Sequence, residues 1–308
     1  MYNKKCILIV GATGFIGREL YLSVKKSEDV YTVSRSQASS LEESNHFAID
    51  LLTPGSIQPI INSLSVVYKK IDIQFLAGLT SVEGSYLNPF SGLLSVVNSY
   101  AEMLNSIRHV NSSIVFASSG SVYDGREDEH YHESSLLRPI SPYSCSKLCC
   151  ENLSIMAHES FGVDVKIARI FSVYGETMNR FFIYDVVQKL LTAKKFIVLD
   201  GDGTQVRDYL HVNEVSKGLF HIMKYGQSGE VYNLCSGVPV TLKSLANSIR
   251  EILDKKHIDI VWSDKSSNHN YDRWYGEPEK LKNIGFEPLL NFQINLKKVV
   301  YSIKNTIS

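Results

Sequence analysis

The sequence carries no surplus of either charge: 32 Lys and Arg stand against 32 Asp and Glu over 308 residues. Without a net field, neither nucleic acid nor an anionic membrane is an expected partner, and any anionic ligand must be held by local groups. A disulfide framework is missing too. The five cysteines, Cys6, Cys145, Cys149, Cys150 and Cys235, are odd in number and form no Cys-x-x-Cys pair. This fits a reduced, cytoplasmic setting. No histidine stands near them at ligand spacing, so no metal site is expected. No apolar run approaches the roughly 20 residues that span a bilayer. The early run at residues 6–10 is too short for a secretory signal and stops at Gly11. The expectation is a soluble protein, without repeats or low-complexity linkers.

What is present is alternation. Hydrophobic residues make up 44% of the chain, enough for a large core, and over the first two thirds they fall into short runs between helical patterns. Residues 6–10, 30–34, 72–77, 113–118 and 165–171 read as strands. The first does not alternate, as suits a strand buried on both faces. Helices are expected at 14–27, 89–108 and 142–160. Strand, helix, strand repeated in this way predicts a parallel sheet covered on both faces, an α/β doubly wound fold of Rossmann type. Beyond residue 171 the pattern loosens into a loop at 175–180, a helix at 180–194, a turn-rich stretch at 200–204 and a last helix at 292–304. Residues 1–171 are therefore the expected dinucleotide-binding domain. Residues 172–308 are expected to form mainly a smaller substrate-binding lobe over the sheet's carboxyl edge, with segments returning to the first domain. The Ser-rich stretch 34–44 reads as a surface loop.

Gly11-Ala12-Thr13-Gly14-Phe15-Ile16-Gly17 follows the first strand and opens the first helix. Gly11 allows a tight turn, Gly14 lets the backbone approach a pyrophosphate, and Gly17 lets helix and strand pack closely. The helix N-terminus would hold the phosphates. Gly11, Thr13, Gly14, Phe15, Ile16 and Gly17 are thus candidate cofactor-binding residues; a plain strand-to-helix turn is the alternative. An acid at the end of the second strand would select NAD. The chain has Ser34-Arg35-Ser36 there. A planar cation between hydroxyls suits a 2′-phosphate, which favours NADP(H) over NAD(H), unless Arg35 is only a solvated loop residue. Asp50 and Leu51 are candidates for the adenine ring.

Ser118-Ser119 end the fourth strand, where doubly wound folds bind ligands. Tyr143 and Lys147 stand four apart at the start of a helix and share one face. A free tyrosine, with a pKa of about 10, is a sluggish base at neutral pH, and a nearby ammonium favours its phenolate. Lys147 can supply that charge and bind the nicotinamide ribose. Tyr143 can then exchange a proton with a sugar oxygen while a hydride moves at carbon, and Ser119 can orient the same oxygen.

With these pieces, and with Leu76-Ala77-Gly78, Ser118 to Tyr123, Ser141-Pro142-Tyr143, Ser146-Lys147, Val173-Tyr174-Gly175, Gly201-Asp202-Gly203 and Arg207 to Val212, the chain resembles an extended short-chain dehydrogenase/reductase. More narrowly, it resembles the sugar-nucleotide epimerase/dehydratase family, over nearly its whole length. The resemblance implies that Ser119, Tyr143 and Lys147 are catalytic. It implies that Leu76, Ala77 and Gly78 join the cofactor site. It also implies that Arg207 and Arg273 grip a nucleotide's diphosphate, where residue types alone leave surface salt bridges open. Thr80, Ser121, Ser172 and Asn179 are further candidate substrate contacts on the same ground.

Departures from the family pattern narrow the reaction. Dehydratases of this family carry an Asp-Glu pair after the catalytic hydroxyl residue; here Gly120 and Ser121 stand there, so 4,6-dehydration is not expected. The usual Asn before Val-Tyr-Gly is Ser172, and Tyr123 is followed by Asp124-Gly125. Two enzymatic readings follow: an NAD(P)H-dependent reductase of a nucleoside-diphosphate 4-keto-(6-deoxy)hexose, with hydride transfer at sugar C4, or an NAD-dependent nucleotide-sugar 4-epimerase. A non-catalytic, cofactor-sensing or RNA-associated member of the fold is a third. His211 is read as a structural turn residue, and His130, His132 and Glu133 as a loop cluster bordering the substrate or solvent. Tyr174 is a candidate pocket residue. A homodimer is expected through the helices that begin near Pro89 and Pro142, with Cys149 and Cys150 at the contact.

Overall fold

A computed structural model describes residues 4–37, 41, 43–79, 82–123, 130–263, 273–289 and 291–307. Among them, seven strands form the main sheet: β1 (Lys5–Val10), β2 (Val30–Ser34), β3 (His46–Ala48), β4 (Lys70–Phe75), β5 (Ser112–Ser119), β6 (Asp164–Ile170) and, from much later in the chain, β10 (Val231–Leu234). All neighbours run parallel, in the order β10-β6-β5-β4-β1-β2-β3. The order reverses beside β1, and ligands of such sheets bind outside the carboxyl ends at that reversal.

The strands are largely apolar because both faces are covered, although Asp72, Gln74, Lys166 and Arg169 are buried among them. Cys6, Leu8 and Val10 of β1 enter one core, packed by α2 (Gln58–Val67), α4 (Pro89–Ile107) and α5 (Pro142–Phe161). Ile7 and Ile9 enter the opposite core, packed by α1 (Phe15–Val24) and α7 (Val212–Tyr225). A short helix, α3 (Val82–Ser85), precedes α4.

The start of α5 is locally specified. Ser141 and Ser144 form a capping box, each hydroxyl accepting the other's backbone N–H at 3.0 Å, with Pro142 in the first turn. Gly162, at φ 66°, ends the helix in the left-handed conformation. The cap fixes where Tyr143, in the first turn, meets the sheet.

The second lobe contains β7 (Ser172–Tyr174), β9 (Val206–His211), β11 (Pro239–Thr241) and β13 (Arg273–Trp274), all paired through β9. It also contains the parallel pair β8 (Phe196–Leu199) and β12 (Asp259–Trp262). The helices α6 (Phe181–Thr192), α8 (Leu242–Ile252) and α10 (Phe292–Ile307) enclose its core, and α9 (Glu279–Asn283) packs under β10. The buried Asp208 carboxylate accepts the N–H groups of Ser236 and Gly237 at 2.7 and 2.9 Å, tying the exit of β10 to β9. Among the described residues, no helix is long and apolar enough to cross a membrane.

Candidate functional site

At the end of β1 the chain turns sharply. Gly11 sits at φ 93°, and a Cβ there would lie 2.8 Å from the backbone nitrogen of Ala77, just past β4. Only glycine fits both the conformation and the approach. Gly14 is the N-cap of α1, and no side chain caps that helix. Its first-turn N–H groups are therefore left for an anion. Thr13, Gly14, Phe15 and Arg18 form one wall of a cleft of about 200 Å³, and Thr177, Met178, Asn179, Arg180 and Phe181 form the other. An uncapped helix end and two guanidinium side chains around one cleft fit the diphosphate of a dinucleotide. Gly17 is buried in α1, and Ile16 packs into the core behind the turn.

Ser34 closes β2 with its hydroxyl turned inward, donating to the Ser36 carbonyl at 2.7 Å, while Arg35 and Ser36 are exposed. Asp50 shapes its own turn by accepting the Leu52 N–H at 3.0 Å, and Leu51 packs at the core's edge. Leu76, Ala77 and Gly78 continue from β4 along the sheet's carboxyl edge, and a Cβ on Gly78 would lie 3.8 Å from Lys147 Nζ. Thr80 lies outside the described residues.

Ser119, Tyr143 and Lys147 do come together. Ser119, the last residue of β5, is buried and accepts the Ser121 N–H at 3.2 Å, and its side chain hydrogen-bonds the Tyr143 phenol. Lys147 is 4% exposed. Its ammonium donates to the Ala117 carbonyl at 2.7 Å, lies 5.0 Å from the Phe116 ring centre and 5.8 Å from that of Tyr143. Burial pulls the Lys147 pKa down to about 8. Burial pushes the Tyr143 phenol above its ordinary value, while the Ser119 hydrogen bond and the charge of Arg180 pull it back. Arg180, a residue the sequence did not single out, thus adds a positive charge that favours the phenolate, while the Lys147 ammonium lies over the same ring. Lys147 reaches toward the strand and gives one of its three N–H donors to a backbone carbonyl. Arg180 stacks on Phe181 with its guanidinium carbon 4.7 Å from the ring centre, and Phe181 holds a left-handed φ of 71°. A bulky residue in that conformation is strained, and such strain clusters at ligand sites.

The other candidates are more dispersed. Asn179 faces the glycine turn across the cleft. Ser121 is buried just beyond Ser119, and Ser172 opens β7 opposite Tyr209. Arg207 donates to the Val206 carbonyl at 2.8 Å and lies against Trp274. The β9–β13 register puts Trp274, not Arg273, across from Arg207; Arg273 faces Val206. Tyr174 is buried against Tyr209, His211 and Phe292 in the second lobe. His211 caps α7 and pairs with Glu176 at 3.0 Å. His132 pairs with Glu277, and His130 donates to the Gly237 carbonyl at 3.3 Å.

Behind the site lies a buried network, also missed. Glu151, one turn past Lys147, accepts from the Ser118 hydroxyl and from Arg169 of β6, the latter at 2.8 and 3.1 Å. Arg169 donates in turn to the Tyr123 hydroxyl at 2.9 Å and the Glu133 carbonyl at 2.8 Å. The helical spacing from Lys147 to Glu151 was the available signal.

A Cβ on Gly120 would lie 2.9 Å from the Phe171 ring, so a larger side chain there would require the ring to shift.

Residues 7–235 match a family model described as the NAD dependent epimerase/dehydratase family. A UDP-glucuronate 4-epimerase of Thermodesulfobacterium geofontis (strain OPF15) is 24% identical, over 96% of this chain and 98% of the relative. Among solved structures, the UDP-N-acetylglucosamine 4-epimerase from Methanobrevibacter ruminantium M1, in complex with UDP-N-acetylmuramic acid, superposes with a TM-score of 0.86 at 23% identity, covering 99% of this chain and 100% of that one. RMD from Pseudomonas aeruginosa, complexed with NADPH, superposes with a TM-score of 0.81 at 22% identity, covering 97% and 99%.

Proposed function

The chain belongs to the NAD dependent epimerase/dehydratase family, and from that premise we propose that it is a cytoplasmic NADPH-dependent reductase of a nucleoside-diphosphate 4-keto-6-deoxyhexose. The observation that carries the reductase over other family reactions is the end of β2. No carboxylate stands there to pair with ribose hydroxyls, and exposed Arg35 offers a guanidinium to a 2′-phosphate. The solved relative that carries NADPH is compatible with this choice. Dehydration is disfavoured because Gly120, backed by Phe171, takes the place of an acid.

The cofactor, when bound along the carboxyl edge, supplies a hydride to the carbonyl carbon. The chain's own residues handle the oxygen. The Ser119 hydroxyl donates to the substrate oxygen and holds it beside the phenol. Tyr143 gives its proton to that oxygen as it becomes an alcohol. Burial keeps the phenol protonated until then, and Arg180 stabilises the phenolate left behind. Lys147, held by the Ala117 carbonyl, presents its remaining N–H donors to the ribose beside Gly78. Arg18 and Asn179 hold diphosphate oxygens in the cleft, and Arg207 and Arg273 grip the diphosphate of the substrate.

A 4-epimerase is the second reading, favoured by the two epimerases to which the chain is similar along their whole length. Purified protein mixed with NADPH and a nucleotide-linked 4-keto-6-deoxyhexose should lose the absorbance of the reduced nicotinamide. Turnover of a UDP-hexose without added cofactor, and none of the keto-sugar, would replace the reductase by the epimerase.

A further inference from the structure

We infer that His46 controls how the protein discriminates at the 2′ position of the adenosine ribose, by fixing the orientation of the Ser36 peptide. The inference rests on the location of the cofactor proposed above, but has its own readout.

The β2–β3 register sets His46 beside Thr32. The ring is 8% exposed, and both of its nitrogens are engaged. Nε2 lies 3.1 Å from the Ser36 carbonyl oxygen. A carbonyl only accepts, so Nε2 carries the proton. In the neutral ring Nδ1 then accepts from the Thr32 hydroxyl, 2.9 Å away. Ser34 Oγ, 3.3 Å from Nε2, donates to the same Ser36 carbonyl at 2.7 Å. The carbonyl therefore takes two hydrogen bonds from inside the protein.

A trans peptide is planar, with its C=O and N–H directed oppositely. Pulling the Ser36 carbonyl inward turns the Gln37 N–H outward, to the side on which Arg35 and Ser36 are exposed. This is the end of β2, where a doubly wound fold meets the adenosine ribose. An outward N–H beside a guanidinium donates to a phosphate. If the peptide reversed, a carbonyl oxygen would face that side instead. It would repel a 2′-phosphate and accept from a 2′-hydroxyl. While the peptide keeps its orientation, the Ser34 hydroxyl is engaged with the Ser36 carbonyl, so the donor on the outer side is the backbone N–H. His46 is a positioning residue: it acts on the ligand through the backbone.

The test is to measure dissociation constants of NADPH and NADH for the wild type, His46→Phe, His46→Gln and Thr32→Val. Loss of one hydrogen bond to the carbonyl corresponds to a change of up to about tenfold. His46→Phe should weaken NADPH by about that factor while leaving NADH unchanged or tighter. His46→Gln, which keeps an N–H donor, should restore most of the ratio. Thr32→Val, which frees only the far side of the ring, should shift the ratio in the same direction by less, and it serves if the phenylalanine variant fails to fold. Equal weakening of both cofactors, or a ratio unmoved in both His46→Phe and Thr32→Val, overturns the inference. A wild type that prefers NADH overturns the NADP(H) reading, whereas the change of ratio on substitution judges His46 alone.

Discussion

Lys147 carries a charge that the fold does not welcome. Its pKa falls from 10.5 to about 8 because burial disfavours the ammonium. Below about pH 8 the folded and unfolded chains both hold the proton, and the folded chain bears the full cost of the buried charge. Between about 8 and 10.5 the unfolded chain keeps a proton that the folded one has released, so this residue makes stability rise with pH across that window. At about 1.4 kcal/mol per pH unit, the drop sets an upper scale of about 3 kcal/mol. The Ala117 carbonyl would lose its partner in a Lys147→Met protein, which offsets about 1–3 kcal/mol of that gain. The variant should therefore be at least as stable as the wild type at pH 7, by up to about 2 kcal/mol. It should lack the wild type's rise in stability between pH 8 and 10, and it should have lost turnover. Urea unfolding of both proteins at the two pH values checks this, and a less stable variant with an unchanged pH response would contradict it. Tyr143 gives a second expectation. Its phenol is already raised by burial, and Arg180 opposes the rise. In the alcohol-oxidising direction the phenolate is the base, so Arg180→Ala should move the acid limb of kcat to higher pH, and Arg180→Lys should largely hold it. A limb that stays in place in Arg180→Ala would mean that the guanidinium does not act on the phenol. Tyr143→Phe should lower kcat by about 10²–10⁴-fold with cofactor affinity preserved, measured by steady-state kinetics and titration.

At the scale of elements, α5 is unusual in turning polar groups inward. Lys147, Glu151 and Ser154 are buried along one helical stripe, each with a partner: the Ala117 carbonyl, Arg169 and the Tyr100 hydroxyl. The Glu151–Arg169 pair joins the helix to β6, and through Ser118 to the residue beside Ser119. Removing one member strands a buried charge, so Glu151→Ala should cost about 3–5 kcal/mol in chemical denaturation. The Glu151→Leu, Arg169→Met double variant should cost less than the sum of its singles, because no unpaired charge remains. Additive losses would show that the two groups act independently. How far this element was legible is instructive. Pro142, Ser141 and Ser144 announce the helix start locally, and the spacing of Tyr143 and Lys147 puts both on one face. β1 was legible as an unbroken apolar run, and β2, β5 and β6 as short stretches, mostly apolar or β-branched at their centres, between helical patterns. β3, only three residues long and holding His46, gives no periodicity to read. α2 did carry a signal that was not read, with Ile57, Ile60, Ile61 and Leu64 buried at helical spacing.

At the scale of the molecule, the illegible parts are those made by distant pairing. Arg180 faces the glycine turn only because the chain, having left β6, folds back over the sheet's edge; nothing near residue 180 states that. β10 joins the main sheet beside β6 only after the chain has passed through the other lobe and returned as α7, so the boundary after residue 171 is not one that the chain crosses once. The outer surface of α4 and α5 is, by contrast, readable both ways. Leu87 and Phe90 are 82% and 81% exposed, and Leu94 continues the same side of α4. On α5, Cys145, Cys149 and Met156 recur near helical spacing, partly or largely exposed, with Ile155 beside them. Large apolar side chains clustered on two neighbouring helices are disfavoured in water and suit a contact with a second copy of the chain. A twofold axis there would make a four-helix contact in which Phe90 is an anchor. The wild type should then sediment as a dimer, and Phe90→Glu, which places a charge where the partner's apolar surface would lie, should sediment as a monomer of unchanged thermal stability at the same concentration. In the dimer Cys149 should be alkylated more slowly than in that variant, because the partner helix covers it. A monomeric wild type, or equal alkylation rates in a dimer and a monomer, would move the contact elsewhere on the surface.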